Sequence, residues 1–549
     1  MKRYYLLFLS IVMVLFTIGS CQPPKKEVET TKDSVMQRKL ANYAKVKLSA
    51  DLSHLSSGQV KLFSHLLKAA EAIDELYWLQ AYGDKNSLLE MMGDDSDMKA
   101  YALINYGPWD RLDGFAPFTD DYPPRPLGVG FFPNDMNQND FFSIPGNEKF
   151  DPFTIVIKDE QGNFKVLPYH TAYKTVINKA VGHIRKGAEL CECEDFKAYL
   201  LQRAEDLLTD NFEKSDELWL NLDDNKIDFV VGPIENREDH LIWTKYSYGA
   251  FILLRNMEWT KNVEKFTLLL PYLQKNLPVE EKYKTETPEA TSDIVIYDVL
   301  YNAGFCNAGS KLIGLNLPIS TERMLSNTRK VHFKNVMEAK FEKILQPISN
   351  LVIDEKQRKH VKFTSFFQNT VFYEISNSLG ITQTINDKGS VRDALKEHHI
   401  IIRELKNDVL RMFFITKLHE MRELKDVDLM DNYVTYMSDV FRSIRFGVTD
   451  AQGVANMIRF NYFMEKEAFK YNAKSGTYKI NFYNMKKAIE SLSKMVLEIQ
   501  GNGDLESAAK IIRDKGFIHN ELLNNLYRIQ RARIPKDVVY DQGEELAME

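Results

Sequence analysis

Asn369–Gly380 reads NTVFYEISNSLG. Within it, Tyr373-Glu374-Ile375-Ser376-Asn377 sets a carboxylate between two polar side chains four positions apart. On a helix, positions i and i+4 share one face. When both flanking residues are histidine, as in H-E-x-x-H, the pair binds zinc and the Glu is general base for the metal-bound water. Here the Glu is in place and both imidazoles are replaced. Alone the frame is weak, because Y-E-x-x-N arises by chance in many helices. The surroundings give it meaning.

About thirty residues further on, Arg403-Glu404-Leu405-Lys406-Asn407-Asp408 lies in a helical pattern running from Val391 to about Leu418. Its apolar side is supplied by Ala394, Leu395, Ile401, Ile402, Leu405, Val409, Leu410 and Phe413. Together with YGPWDRLDGFAPF (Tyr106–Phe118), VGPIENREDHL (Val231–Leu241), NAGSKLIGLNLP (Asn307–Pro318), VRDALKE (Val391–Glu397), DNYVTYMSDVFRSIRFG (Asp431–Gly447) and ANMIRFNYF (Ala455–Phe463), the chain resembles the dipeptidyl peptidase III family. The likeness is to the bacterial branch whose zinc helix is written H-E-x-x-H. It extends from about Leu48 to Gln542.

The resemblance implies roles residue by residue. Tyr373 and Asn377 stand where the family has its two histidine ligands, and Glu374 stands at the general base. Glu404 matches the third ligand. Arg403 replaces an acid that supports a ligand, and Asp408 keeps the acid that closes the run. Gln452 stands where the family places a histidine near the reacting carbonyl. Glu235 matches the acid that holds a peptide's free amino group, and Arg237 replaces a nearby aromatic residue. Asn316 matches one of two asparagines that grip the peptide backbone, and Ile319 replaces the other.

These departures argue against zinc. A tight site needs three or four donors at about 2.0–2.3 Å. Asn offers only a neutral amide oxygen. Tyr binds metals chiefly as phenolate, which is costly near neutral pH given a free pKa near 10. Without a metal, the water at Glu374 keeps a pKa near 15.7 instead of about 7. His398, His399 and His419 are candidate substitute ligands. The first two precede Glu404 by six and five positions and point largely off its face; His419 has Glu423, not a second His, four residues on. An oxygen-rich calcium or magnesium site from Glu374, Glu404 and Asn377 is a further option. The plain structural alternative makes Glu374 and Glu404 inherited acids paired with Arg403 or Lys406.

The N-terminus carries a separate message. Lys2 and Arg3 precede an apolar run, Tyr4 to Ile18, too short to span a bilayer comfortably. It ends Ile18-Gly19-Ser20-Cys21, which resembles a bacterial lipobox. Residues 1–20 then read as a lipoprotein signal peptide, Cys21 as the lipidated residue, and 21–45 as a flexible tether. The expected location is the envelope of a Gram-negative bacterium, with the outer membrane favoured because no Asp follows Cys21. Cys191, Cys193 and Cys306 read as structural thiols.

A chain of 549 residues exceeds the usual limit of one core. Hydrophobic content of 44%, charged content of 27% and a formal charge of −6 are ordinary for a globular protein and include no basic tract, so nucleic acid is not an expected partner. Apolar periodicity predicts helices over 58–82, 171–190, 485–497 and 505–515, with Ser53, Ser56 or Ser57 capping the first. Short strands are predicted at 153–157, 164–166, 229–231 and 312–315, the first two joined by a hairpin turn at Asp159–Asn163.

The fold class is therefore α+β and predominantly helical. By resemblance it has two lobes around a wide cleft: a helical lobe with the metal motifs, and a lobe with a small β-barrel plus helices. The expected divisions are 46–255 and 287–330 for the barrel lobe, 256–286 and 331–515 for the helical lobe, and 516–549 as a C-terminal segment. The leading functional expectation is a degenerate, lipid-anchored pseudopeptidase that needs no cofactor and binds a peptide or an envelope protein in its cleft. One alternative is an active zinc, or other metal, dipeptidyl peptidase with a remodelled site. Another is an envelope scaffold.

Overall fold

The structure, a computed structural model, describes residues 34–543 apart from 49, 54, 224, 289–292, 319–327 and 426. The expected signal peptide at 1–20, Cys21 and Ile319 lie outside the described residues.

Two separate apolar cores give the molecule its lobes. One gathers around the helix Ser57–Ala81, which packs against the helix Lys174–Glu189 and against a five-stranded sheet. Ser56 caps Ser57–Ala81: its side chain accepts from the Gln59 amide at 3.1 Å, and the Gln59 side chain accepts from the Ser56 amide at 3.0 Å. These reciprocal bonds satisfy two donors that a helix start leaves orphaned. The predicted hairpin is present as Thr154–Lys158 against Phe164–Pro168, with Gly162 taking the positive φ (+83°) that its turn requires.

The sheet is built from β1 (Ile227–Glu235), β2 (Ser247–Arg255), β3 (Asp293–Gly304), β4 (Gly314–Leu317) and β5 (Arg329–Phe333). Its order is β1-β2-β3-β5-β4, with β5 parallel to β3 and the other neighbours antiparallel. Strand β3 is the wall between lobes. Ile294 and Ile296 face the core of the helical lobe, while Val295, Tyr297 and Val299 face the core of the sheet lobe, as the period of two demands.

The helical lobe holds α1 (Phe363–Ser376), α2 (His399–Glu420), α3 (Leu429–Ser443) and α4 (Ala451–Glu465), with Phe482–Asn502 packed on α2. All five contribute to one core that includes Phe372, Phe414, Val440, Phe463 and Leu492.

Four expectations need correction. The small barrel is an open sheet: among the described residues no ladder joins edge strand β1 to edge strand β4. The two edges nevertheless converge, because Ile234 and Glu235 of β1 and Gly314, Leu315 and Asn316 of β4 line one cavity of about 300 Å³. The tether does not reach residue 45. From Ser34 the chain is ordered, as a capped helix Val35–Leu40 and a strand Tyr43–Lys47 that pairs in parallel with Asp537–Asp541. Residues 331–333 belong to the sheet lobe as the end of β5, so the helical lobe begins after Phe333. The helical run from Val391 is broken: Val391–Leu395 ends at Lys396, whose φ is +48°, and α2 starts only at His399.

Candidate functional site

The cleft contains a cavity of about 270 Å³ lined by both lobes. From the sheet lobe come Asn316 of β4 and His332 of β5. From the helical lobe come Tyr373 and Glu374 of α1, Asp408 and Arg411 of α2, Arg442 of α3 and Gln452 of α4. The structure thus brings Asn316, Tyr373, Glu374, Asp408 and Gln452 together around one cavity. Glu404, Arg403 and Asn377 stand beside this cavity without lining it. Glu235 and Arg237 line the neighbouring cavity at the β1–β4 seam, and Asn316 borders both.

At the positions of the missing ligands, the donors are already engaged. The phenol of Tyr373 donates to Oε2 of Glu404. Burial, reinforced by that carboxylate, holds the phenol well above its ordinary pKa, which disfavours the phenolate a metal would need. Oε1 of Glu404 accepts from Arg403 Nη2 at 3.2 Å. Oδ1 of Asn377 accepts from Asn407 Nδ2 at 3.0 Å. Glu374 faces Lys330, whose ammonium lies 3.3 Å from Oε2 and donates to the Glu374 carbonyl at 3.2 Å. The residues present do not fit zinc: an amide, a protonated phenol and two carboxylates matched by protein cations offer too few free, basic donors. Among the described residues no group of three or more His, Cys, Asp or Glu is arranged to hold a metal.

Protein cations are concentrated where a divalent ion would otherwise balance the acids. Lys406 is buried and donates to the carbonyls of Asn377 (2.9 Å) and Leu379 (2.8 Å) at the end of α1. Burial, with Arg403 and Lys330 adding repulsion, lowers its pKa to about 7. The Glu404 partner is therefore Arg403, and Lys406 instead caps the helix end as a C-terminal cation does. Deeper in, Asp408 is the hub of the lobe. It accepts from Arg459 and from Tyr436 (3.2 Å), and pairs with Arg411 at 2.5 Å, tying α2 to α3 and α4.

Sequence reasoning did not find Lys330 or His332. His332 is 5% exposed, and neither ring nitrogen has a hydrogen-bond partner among the described residues. Burial lowers its pKa to about 4, so near neutral pH the ring is neutral, with one N–H and one lone pair, and both nitrogens are buried. It pairs in register with Gly314, where a Cβ would come within 2.5 Å of the Val331 carbonyl, so only glycine lets β4 approach β5 so closely. The five-residue RKVHF stretch was the available signal, since its alternation puts Lys330 and His332 on one face, opposite Arg329, Val331 and Phe333. The candidate substitute ligands are otherwise placed: His419 Nε2 is 3.0 Å from Asn432 Oδ1, and His398 sits in the turn before α2.

At the seam, Glu235 is 5% exposed and has no oxygen to spare. Oε1 accepts from the amides of Asn236 (2.8 Å) and Arg237 (3.0 Å) and from Arg237 Nε (2.8 Å), and Oε2 accepts from Arg237 Nη2 (2.6 Å).

An open sheet facing a helical lobe, with a Glu-bearing helix at the cleft, defines a two-lobed, cleft-bearing scaffold. The comparisons agree. No protein-family profile matches the chain. The solved structure of DPP III from Caldithrix abyssi superposes with a TM-score of 0.87 at 31% identity, covering 92% of this chain and 98% of that one. Dipeptidyl-peptidase III from Corallococcus sp. strain EGB gives a TM-score of 0.74 at 29% identity, over 92% and 96%. A curated plant protein named Nudix hydrolase 3, from Arabidopsis thaliana, is 29% identical over 92% of this chain and 73% of its own length. The chain belongs to the dipeptidyl peptidase III family.

Proposed function

We propose that this protein is a catalytically silent member of its family, which holds a peptide or a segment of a partner protein in the cleft without cutting it. The observation that carries this reading is the Tyr373–Glu404 hydrogen bond. It occupies, from one side, a position that needs a metal-binding imidazole and, from the other, the carboxylate that matches the third ligand. A water at Glu374 without a metal stays near its bulk pKa, about nine units above the value zinc confers, so the family's route to hydrolysis is closed. The cleft keeps backbone-binding capacity in the exposed Asn316. The name of the plant relative points to a different hydrolase class, which no feature of this cleft favours.

The test is turnover. The full chain, purified in detergent, is given unblocked tetra- to octapeptides with micromolar zinc, and dipeptide release is followed. Binding with no release above a heat-treated control supports the proposal. Zinc-dependent release at ordinary enzyme rates, of about 1 per second or more, overturns it.

We also propose that Cys21 carries the acyl chains that hold the protein on the envelope membrane, outer membrane favoured, with an envelope protein as the alternative occupant of the cleft. Metabolic labelling with a palmitate analogue, lost in Cys21→Ser, supports this. Equal labelling of both chains overturns it.

A further inference from the structure

The cavity between the sheet edges has two charged residues, Glu235 and Arg237, and only one of them reaches solvent. Glu235 is buried, and both its oxygens are taken by the amides and the guanidinium beside it. The Arg237 side chain is 67% exposed. A guanidinium carries five N–H groups. Its Nε–H and one Nη2–H point to Glu235, and the two N–H groups on Nη1 and the second on Nη2 have no partner among the described residues. Across the seam stands Asn316, exposed on β4 and lining the same cavity. An arriving ammonium meets a carboxylate already neutralised and a guanidinium in front of it. An arriving carboxylate meets open donors in the fork geometry that suits it.

We propose that the β1–β4 seam is a carboxylate subsite, in which Arg237, with Asn316 opposite, receives a carboxylate of the peptide lying in the cleft. Glu235 has become the brace that fixes the guanidinium, held by four hydrogen bonds to its own chain. The carboxylate is either a peptide's C-terminus or an Asp or Glu side chain within it. The inference rests on the reading that the cleft holds peptide, and it makes Arg237 a specificity-determining residue.

Calorimetry on the full chain at low salt, with four hexapeptides of one Ser/Val core, tests it. The first is acetylated with a free C-terminal carboxylate. The second is acetylated and amidated, with one Ser replaced by Glu. The third is acetylated, amidated and uncharged, and the fourth has a free amine and an amidated end. The first or the second binds about fivefold tighter than the third, the scale of one ion pair in water, and which of them does so names the source of the carboxylate. The fourth binds no tighter than the third. Arg237→Gln brings the acidic probe down to the affinity of the neutral one, and Arg237→Lys keeps part of the difference. An unchanged thermal melt shows that Arg237→Gln is folded. Tightest binding by the free amine, equal binding of all four, or indifference to Arg237→Gln overturns the subsite and leaves the peptide-holding reading intact. Failure of all four to bind overturns that reading and this one with it.

Discussion

The phenol of Tyr373 donates a hydrogen bond to the carboxylate of Glu404. These residues sit on α1 and α2, and their bond ties the two helices through one carboxylate. The acids remain, and the Tyr373 phenol, the Arg403 guanidinium and the Lys330 ammonium now pair with them.

Tyr373→Phe removes that donor and leaves Glu404, whose side chain is 17% exposed, with Arg403 alone. A hydrogen bond to a charged group is worth about 1.5–3 kcal/mol. The variant is expected to lose about 1–2 kcal/mol in urea denaturation, with the slope m unchanged.

Lys330 and Glu374 face each other across the cleft from the two lobes, 11% and 27% exposed at their side chains. Removing one partner of a largely buried pair costs more than removing both. Glu374→Gln is expected to destabilise by about 1–2 kcal/mol and Glu374→Gln with Lys330→Met by less. A double-mutant cycle by denaturation measures the coupling, and a value near zero would mean that the pair does not bridge the lobes.

Asp408 anchors Arg411, Arg459 and Tyr436 in the interior. Asp408→Ala strands two buried guanidinium groups, a defect worth about 3–5 kcal/mol. The expected outcome is a large fall in melting temperature, or loss of soluble protein, checked by calorimetry against Gln452→Ala, an exposed cleft residue that should cost little.

His332 gives a pH dependence with a definite sign. Its folded pKa is about 4, and the unfolded imidazole titrates near 6.5. Between those values the unfolded chain binds the proton and the folded chain does not. Stability from this group therefore falls as pH drops through 6.5 and levels off below about 4. The full difference is about 3 kcal/mol. His332→Leu should show a correspondingly shallower loss of stability from pH 7 to pH 4.5 in urea titrations.

How far the sequence revealed the fold depended on periodicity. The helix Ser57–Ala81 and the hairpin at Asp159–Asn163 were legible because one face is wet and the alternation shows. Strands β2 and β3 were missed, since their GAFILL and IVIY stretches are buried on both faces and read as unbroken apolar runs. The pairing of Tyr43–Lys47 with Asp537–Asp541 spans almost the whole chain, and no local pattern announces it. At the site, Tyr373, Glu374, Glu404 and Gln452 were singled out through the resemblance to the family's motifs. Lys330 and His332 reach the cleft from a strand, far in sequence from α1, and only the fold brings them there. The bond from Tyr373 to Glu404 was likewise invisible, because the two residues had been weighed singly as ligands.

The central claim is that the metal site has been replaced by internal pairing. Zinc content of the full chain after dialysis against micromolar zinc tests it, beside Tyr373→His with Asn377→His, which restores two imidazoles and releases Glu404. The account predicts almost no zinc in the natural chain and close to one equivalent in the double variant. One tightly held equivalent in the natural chain would contradict it.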